Sequence, residues 1–206
     1  GKKVVSHTGG LPGYVSRLTM IPELKLGVCV LTNQESGGSF NSITYDILDR
    51  YLNAQPHDWL AAYKHSQERG DSSAKAAGKS AIRKRDEHSR PSLTLAKYAG
   101  MYTDAWYGDI TITLDGKKLL IKFSHTPWLE GSLEHWQHDT FIARWTDRTL
   151  RADAYVTFAL KPDGSIDQIK MSAVSPSTDF SFDFQDLLAF IKPAVFANRV
   201  CQGWFT

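Results

Sequence analysis

The run Ser6-His7-Thr8-Gly9-Gly10-Leu11-Pro12-Gly13-Tyr14-Val15-Ser16 is where residue types and spacing point most clearly to chemistry. It sets a titratable imidazole on an extended segment directly ahead of two glycines. Backbone without a Cβ lets a ligand approach closely and offers it N–H groups. N–H donors aimed at a developing oxyanion are a leading device of acyl transfer. Three other groups invite a functional reading. His135, His138 and Asp139 suggest a metal site, but strand residues three apart point to opposite faces, so a structural role is expected unless a turn intervenes. Trp106, Trp128, Trp136 and Trp145 could line a pocket or pack a small all-β core. Cys29 lies inside an apolar run and is expected to be an inert buried thiol. No cofactor and no metal are called for.

Composition sets the bounds on these readings. The chain has 206 residues and 23.1 kDa, with 42% hydrophobic, 12% aromatic and 22% charged residues, ordinary for a globular protein. A formal net charge of +2 gives no overall basic field for nucleic acid. No run approaches the ~18 apolar residues of a membrane span. Two cysteines, Cys29 and Cys201, exclude a disulfide scaffold or a four-cysteine zinc site. A chain opening at Gly1 reads as an excised or processed piece.

The elements that must position the His-Thr-Gly run follow from the patterning. Val4 to Thr8 is extended and is expected to stop at Gly9-Gly10. Tyr14 to Ile21 alternates as a strand, Pro22 to Lys25 turns, and Leu26 to Thr32 is a continuous apolar run expected to be buried on both faces. Asn41 or Ser42 could cap a helix carrying Ile43, Ile47, Leu48 and Tyr51 on one side. Residues 1–54 thus read as strand, hairpin and helix. Residues 55–92 read as a polar helix followed by a mobile linker, because residues 61 to 92 hold eight Lys/Arg against four Asp/Glu with Ala, Ser and Gly between. The Arg83-Lys84-Arg85 cluster there reads as a solvated face, since no aromatic is interleaved for base stacking.

Residues 93–190 read as a small antiparallel barrel of about eight strands. The expected strands are Tyr98–Tyr102, Gly108–Leu114, Leu119–Phe123, Leu129–Trp136, Phe141–Trp145, Tyr155–Leu160, Ile166–Met171 and Phe180–Phe184. Turn signals fall between them at Asp115-Gly116, His138-Asp139 and Asp163-Gly164. The tail, residues 191–206, has no periodicity.

With its following hairpin and helix, His7-Thr8-Gly9 resembles the third active-site motif, Lys/His-Thr/Ser-Gly, of the serine β-lactamase-like hydrolases. This family includes class C β-lactamases, penicillin-binding proteins and related esterases and peptidases. Gly13-Tyr14-Val15-Ser16 and Leu26 to Asn33 are similar to the segments that follow that motif. Tyr98-Ala99-Gly100-Met101-Tyr102, Tyr107-Gly108, Leu133-Glu134-His135-Trp136 with Asp139-Thr140-Phe141, and Val156-Thr157-Phe158 resemble the lipocalin-like barrel appended to many of these hydrolases. The fold class expected is therefore α+β: an antiparallel three-stranded sheet piece plus C-terminal helices of a β-lactamase-like domain, linked to a lipocalin-like barrel.

The resemblance implies roles. His7 would orient the catalytic hydroxyls or bind a substrate carboxylate. Thr8 and Gly9 would contact substrate, and the Gly10 N–H would complete the oxyanion hole. The family's Ser-x-x-Lys nucleophile motif and its Tyr-x-Asn motif both precede this strand, so both would lie in an N-terminal hydrolase domain outside the chain. Ser72-Ser73-Ala74-Lys75 and Tyr51-Leu52-Asn53 imitate them. The first sits in a polar stretch with no apolar helix to desolvate its lysine, and Tyr51 reads more simply as core. The expectation is a fragment inactive alone, from a periplasmic or secreted parent, with self-association as a further consequence of its uncovered sheet. The alternative is a non-catalytic barrel binding a small ligand or partner.

Overall fold

The structure, a computed structural model, describes residues 1–11, 13–179 and 181–192. It divides into two compact units, Gly1–Lys75 and the described residues from Ala76 to Lys192. The class is α+β, as the patterning predicts: the described residues form a three-stranded antiparallel sheet, three α-helices and a closed eight-stranded antiparallel barrel.

In the first unit β1 (Val5–Leu11), β2 (Tyr14–Ile21) and β3 (Leu26–Thr32) pair in the order β1-β2-β3. β1 runs through both glycines instead of stopping at them. Gly9 faces Ser16 and Gly10 faces Val15, and an added Cβ on Gly9 would come within 2.9 Å of the Ser16 Oγ. Gly13, at φ +84, turns the chain. β3 is buried on one face only: Val28 and Val30 are covered, whereas Leu31 is 76% exposed and Cys29 is exposed. The buried-thiol expectation therefore fails, because helix α1 (Gly37–Leu52) packs on a single side of the sheet.

That helix starts earlier than the sequence suggested. Ser36, not Asn41 or Ser42, is the N-cap, and its hydroxyl accepts from the Ser39 N–H at 3.3 Å. Phe40, Thr44 and Leu48 form the buried stripe with Ile47 packed beside it, while Ile43 and Tyr51 face outward. Ser42 and Thr44 can occupy inward positions because their hydroxyls donate to the Gly38 and Phe40 carbonyls, each at 2.7 Å.

Helix α2 (Trp59–Lys84) is 26 residues long and buries none of its residues. Its alanines favour the helix although Gly70 and Gly78 do not. It is the polar helix expected within residues 55–92 and takes up most of that stretch. Its first turn is anchored where the Trp59 indole donates to the Asp49 carboxylate at 2.7 Å and packs on Tyr45 at 4.8 Å. The residues after it are also pinned. Arg85 donates to the Trp136 carbonyl at 2.6 Å and stacks on that indole at 4.8 Å. Ser89 Oγ accepts from His138 N–H at 3.0 Å.

The barrel strands are β4 (Gly100–Asp104), β5 (Gly108–Asp115), β6 (Lys118–Phe123), β7 (Glu130–Gln137), β8 (Thr140–Trp145), β9 (Ala154–Leu160), β10 (Ile166–Ala173) and β11 (Leu188–Ile191). They close in the order β10-β11-β4-β5-β6-β7-β8-β9. Seven expected strands are found within a few residues. Tyr98 instead ends the short helix α3 (Leu95–Tyr98), and β4 begins at Gly100. Phe182 and Phe184 are not in a strand. Phe184 is fully buried in a 3-10 turn and stacks near Tyr107 and Trp145, plugging one end of the barrel. Their alternation imitated a strand, but β11 closes the sheet. Phe180, Pro12 and the tail 193–206, with Cys201 and Trp204, lie outside the described residues.

Inward side chains fill the barrel: Tyr98, Tyr102, Phe123, Phe141, Trp145 and Phe158 are all buried and meet mostly edge-to-face. Eight strands enclose a width that side chains can fill.

Candidate functional site

β1 is an edge strand. Among the described residues it pairs with β2 alone, and every residue from Val5 to Leu11 is exposed. Its outer row of backbone groups is open to an extended ligand. Cross-strand pairing assigns the side chains to faces. His7 pairs with Leu18, which pairs with Cys29, so His7 lies on the face that α1 does not cover. Thr8 pairs with Arg17 on the helix side. His7 and Thr8 therefore project to opposite faces, with Gly9 and Gly10 continuing the edge. The four expected site residues sit together on one accessible strand, and no side-chain hydrogen bond to His7 or Thr8 is present among the described residues.

The uncovered face is apolar. Val5, Leu18, Met20, Leu31 and Tyr14 are all exposed on it beside His7. The opposite face is closed by Ile21, Val28, Val30, Phe40 and Leu48.

One residue on that closed face escaped the sequence reading. Arg17 fastens the open edge strand to the helix. Its guanidinium donates to Ser6 Oγ at 3.2 Å on β1, to Thr19 Oγ1 at 3.1 Å, to the Asn41 side chain, and to the Tyr45 hydroxyl at 3.3 Å, and it lies 5.2 Å over the Tyr45 ring. The signal available in the sequence was a charge at an inward position of the series Val15, Arg17, Thr19, Ile21.

The two strings that imitate the upstream motifs do not form a site. Ser72, Ser73 and Lys75 are exposed on α2, and no hydrogen bond joins them among the described residues. Tyr51 is exposed, which corrects its reading as core, and Asn53 is the left-handed C-cap of α1. His135 and His138 are joined by a hydrogen bond from ring to backbone, Nε2 to the His138 carbonyl at 2.9 Å. Asp139 is turned instead toward Ser92 and Tyr98. The four tryptophans do not share a pocket: Trp145 is core, Trp136 stacks under Arg85, and Trp106 and Trp128 are exposed.

On the barrel's outer wall a groove of about 870 Å³ is lined by Thr111, Thr113, Leu120, Ser132, Glu134 and Arg144 among others. Gly131 also lines it, at a point where a Cβ would fall 2.0 Å from the Arg144 carbonyl oxygen. Its charges are matched. Arg144 bonds Glu134 at 2.8 Å and Asp153 at 2.7 Å, and Arg148 bonds Asp153 at 2.7 Å. Burial raises the Asp153 pKa, but the hydrogen bonds from Arg148 and Arg144 outweigh it and hold the carboxyl below its ordinary value. No helix among the described residues is long and apolar enough to cross a membrane.

The chain is similar to several known proteins. A family model described as "Domain of unknown function (DUF3471)" matches residues 84–191. Unguisins hydrolase ungD of Aspergillus violaceofuscus (strain CBS 115571) is 27% identical over 176 residues, covering 80% of this chain and 31% of that protein. Unguisins hydrolase ungD' of Aspergillus campestris (strain IBT 28561) is 25% identical over 175 residues, covering 80% and 33%. This chain thus spans no more than 33% of the length of either of these relatives. Among solved structures, the C-terminal domain of penicillin binding protein Rv0907 is similar at 22% identity and a TM-score of 0.39, over 53% of this chain and 94% of that one. The chain belongs to the DUF3471 family, a domain found in the C-terminal region of β-lactamase-like proteins.

Proposed function

We propose that this chain is the C-terminal part of a serine hydrolase that cleaves amides or esters through an acyl-enzyme, with residues 1–54 forming one wall of its cleft and residues 93–190 an accessory lipocalin-like barrel. The observation that carries this reading is β1, an open edge strand bearing His7-Thr8-Gly9-Gly10 on a sheet whose second face is apolar and bare. A substrate lying along that edge would meet the Gly10 N–H as an oxyanion donor. Thr8 would hydrogen-bond the substrate. His7 would orient the attacking hydroxyl or bind a substrate carboxylate from the uncovered side. The nucleophile would come from an N-terminal hydrolase domain that also covers the apolar face. The relatives' names, both hydrolases, support the class.

The chain by itself is then inactive. Incubated with a chromogenic ester or β-lactam it turns over neither above background, and turnover abolished by Ser72→Ala would overturn the reading. In the longer protein that the reading requires, His7→Ala lowers kcat/KM at least tenfold without changing unfolding of the barrel. A ligand held inside the barrel is disfavoured, since its lumen is packed with aromatic side chains.

A further inference from the structure

The groove on the barrel's outer wall is built from the outward side chains of β5 to β8. Glu130, Ser132 and Glu134 stand on the face of β7 opposite the buried Leu133 and span about 13 Å along it. The register lays two rows across the four strands. Thr113, Leu120, Ser132 and Arg144 form one, and Thr111, Lys122 and Glu130 form the next. Thr146 N–H donates to the Glu130 carbonyl at 2.9 Å and so extends the second row. All of these residues line the groove.

Three features select the occupant. Each cation on the lining already faces a carboxylate: Lys122 meets Glu130 at 3.0 Å, Arg144 meets Glu134 and Asp153, and Arg148 meets Asp153. A charged ligand would have to displace one of these partners, whereas a neutral ligand displaces none. The main chain under the groove is closed as well. β6 and β7 are each paired on both sides, so an extended peptide finds no edge to lengthen.

What stays open is a set of side-chain donors and acceptors. The hydroxyls of Thr111, Thr113, Ser132 and Thr146 make no hydrogen bond among the described residues. The Lys122 and Arg144 contacts use only the Oε2 atoms of Glu130 and Glu134, and Arg144 spends Nε and Nη1, leaving Nη2. Hydroxyls that both donate and accept, beside carboxylate and guanidinium edges held by their ion pairs, match a molecule that itself carries many hydroxyls. Leu120 and the threonine methyls supply the apolar surface that its C–H faces need.

We propose that this groove binds a short neutral oligosaccharide, with sugar hydroxyls bonded to Thr111, Ser132, Thr146 and the free edges of Glu130, Glu134 and Arg144, and sugar C–H faces laid on Leu120. The site lies within the barrel and needs no catalysis.

The test titrates the isotope-labelled 206-residue chain with chitotetraose, cellotetraose and maltotetraose while following backbone amide resonances by NMR. At least one sugar should give saturable shifts confined to the groove residues of β5 to β8, with a Kd below about 10 mM. Thr111→Val/Ser132→Ala removes two hydroxyls while leaving good strand formers or small residues in place, and should weaken that affinity about tenfold with thermal unfolding unmoved. Raising NaCl from about 50 to about 500 mM should leave the affinity unchanged, because no ion pair is traded on binding. No saturable shift from any of the three sugars at about 10 mM, shifts lying elsewhere on the barrel, or an unchanged affinity in the double variant would overturn the site. Tetraglutamine or tetragalacturonate binding as tightly as the best neutral sugar, or an affinity that collapses in high salt, would overturn the ligand class.

Discussion

Removing the Asp139 carboxylate should release the segment that leads into the barrel. Asp139 accepts from Ser92 N–H at 2.9 Å, from Ser92 Oγ at 2.8 Å and from the hydroxyl of Tyr98, a fully buried side chain at the barrel floor. Tyr98 in turn receives the Leu93 N–H at 3.2 Å, and its carbonyl receives the Tyr102 hydroxyl at 2.9 Å. A hydrogen bond to a charged acceptor contributes about 1.5–3 kcal/mol, and stranding a buried donor costs about 1–3 kcal/mol. Because the carboxylate is partly exposed, its three bonds are discounted to about 1 kcal/mol each on average, and Asp139→Ala should cost about 3 kcal/mol in total. Asp139→Asn keeps one acceptor oxygen and should cost about 1 kcal/mol. At an m-value of about 1.5 kcal/mol per M, the alanine variant moves the urea midpoint down by about 2 M.

The same carboxylate carries a pH signature. Burial raises its pKa, but the Tyr98 and Ser92 hydrogen bonds and the nearby His138 outweigh that and leave it below its ordinary value. A carboxyl depressed by folding adds stability above its unfolded pKa of about 3.9, and that stability is lost as pH falls through the folded value. Urea midpoints of wild type and Asp139→Asn should therefore lie furthest apart near pH 6 and converge below pH 4. Tyr98→Phe combined with Asp139→Ala should show a coupling of about 1.5 kcal/mol. A midpoint shift under about 0.3 M for Asp139→Ala, or strictly additive single variants, would refute the pin.

Three further outcomes follow from the geometry. Gly131→Ala places a Cβ 2.0 Å from a backbone oxygen, so β7 and β8 must part and the barrel should lose more than about 3 kcal/mol, read by thermal denaturation. Arg85→Ala removes both the stacking on Trp136 and the bond to its carbonyl and should cost about 1–2 kcal/mol in urea denaturation. Arg85→Lys should recover less than half of that, since the planar guanidinium that stacks on Trp136 is lost. Arg17→Met cuts the ties from Ser6 to Asn41 and Tyr45 and should speed amide exchange across Val5–Leu11 at least tenfold while leaving barrel exchange unchanged.

Local pattern alone was enough to place most of the strands. Ile110 and Ile112 alternate with threonines, and Asp115-Gly116, His138-Asp139 and Asp163-Gly164 mark turns whose positive φ at Gly116, His138 and Gly164 the structure bears out. These signals are short-range, because a strand's period and a turn's dihedral demand are set by adjacent residues. The His-Thr-Gly-Gly run was legible for the same reason.

Whether a residue is covered is settled by what packs on it, and there the sequence ran out. Cys29 and Leu31 read as buried among β-branched neighbours, yet α1 occupies one face only. Tyr51 read as core, but the helix turned Phe40, Thr44 and Leu48 inward instead. Phe182 and Phe184 alternated like a strand and became a plug, since closure of the sheet was left to Leu188–Ile191. The ties that hold the assembly, Arg17 to α1 and Asp139 to Tyr98, join residues 24 and 41 positions apart. Composition and periodicity carry no record of such partners. Only the folded chain, by bringing distant donors and acceptors within reach, decides which polar side chain is a fastener and which is simply wet.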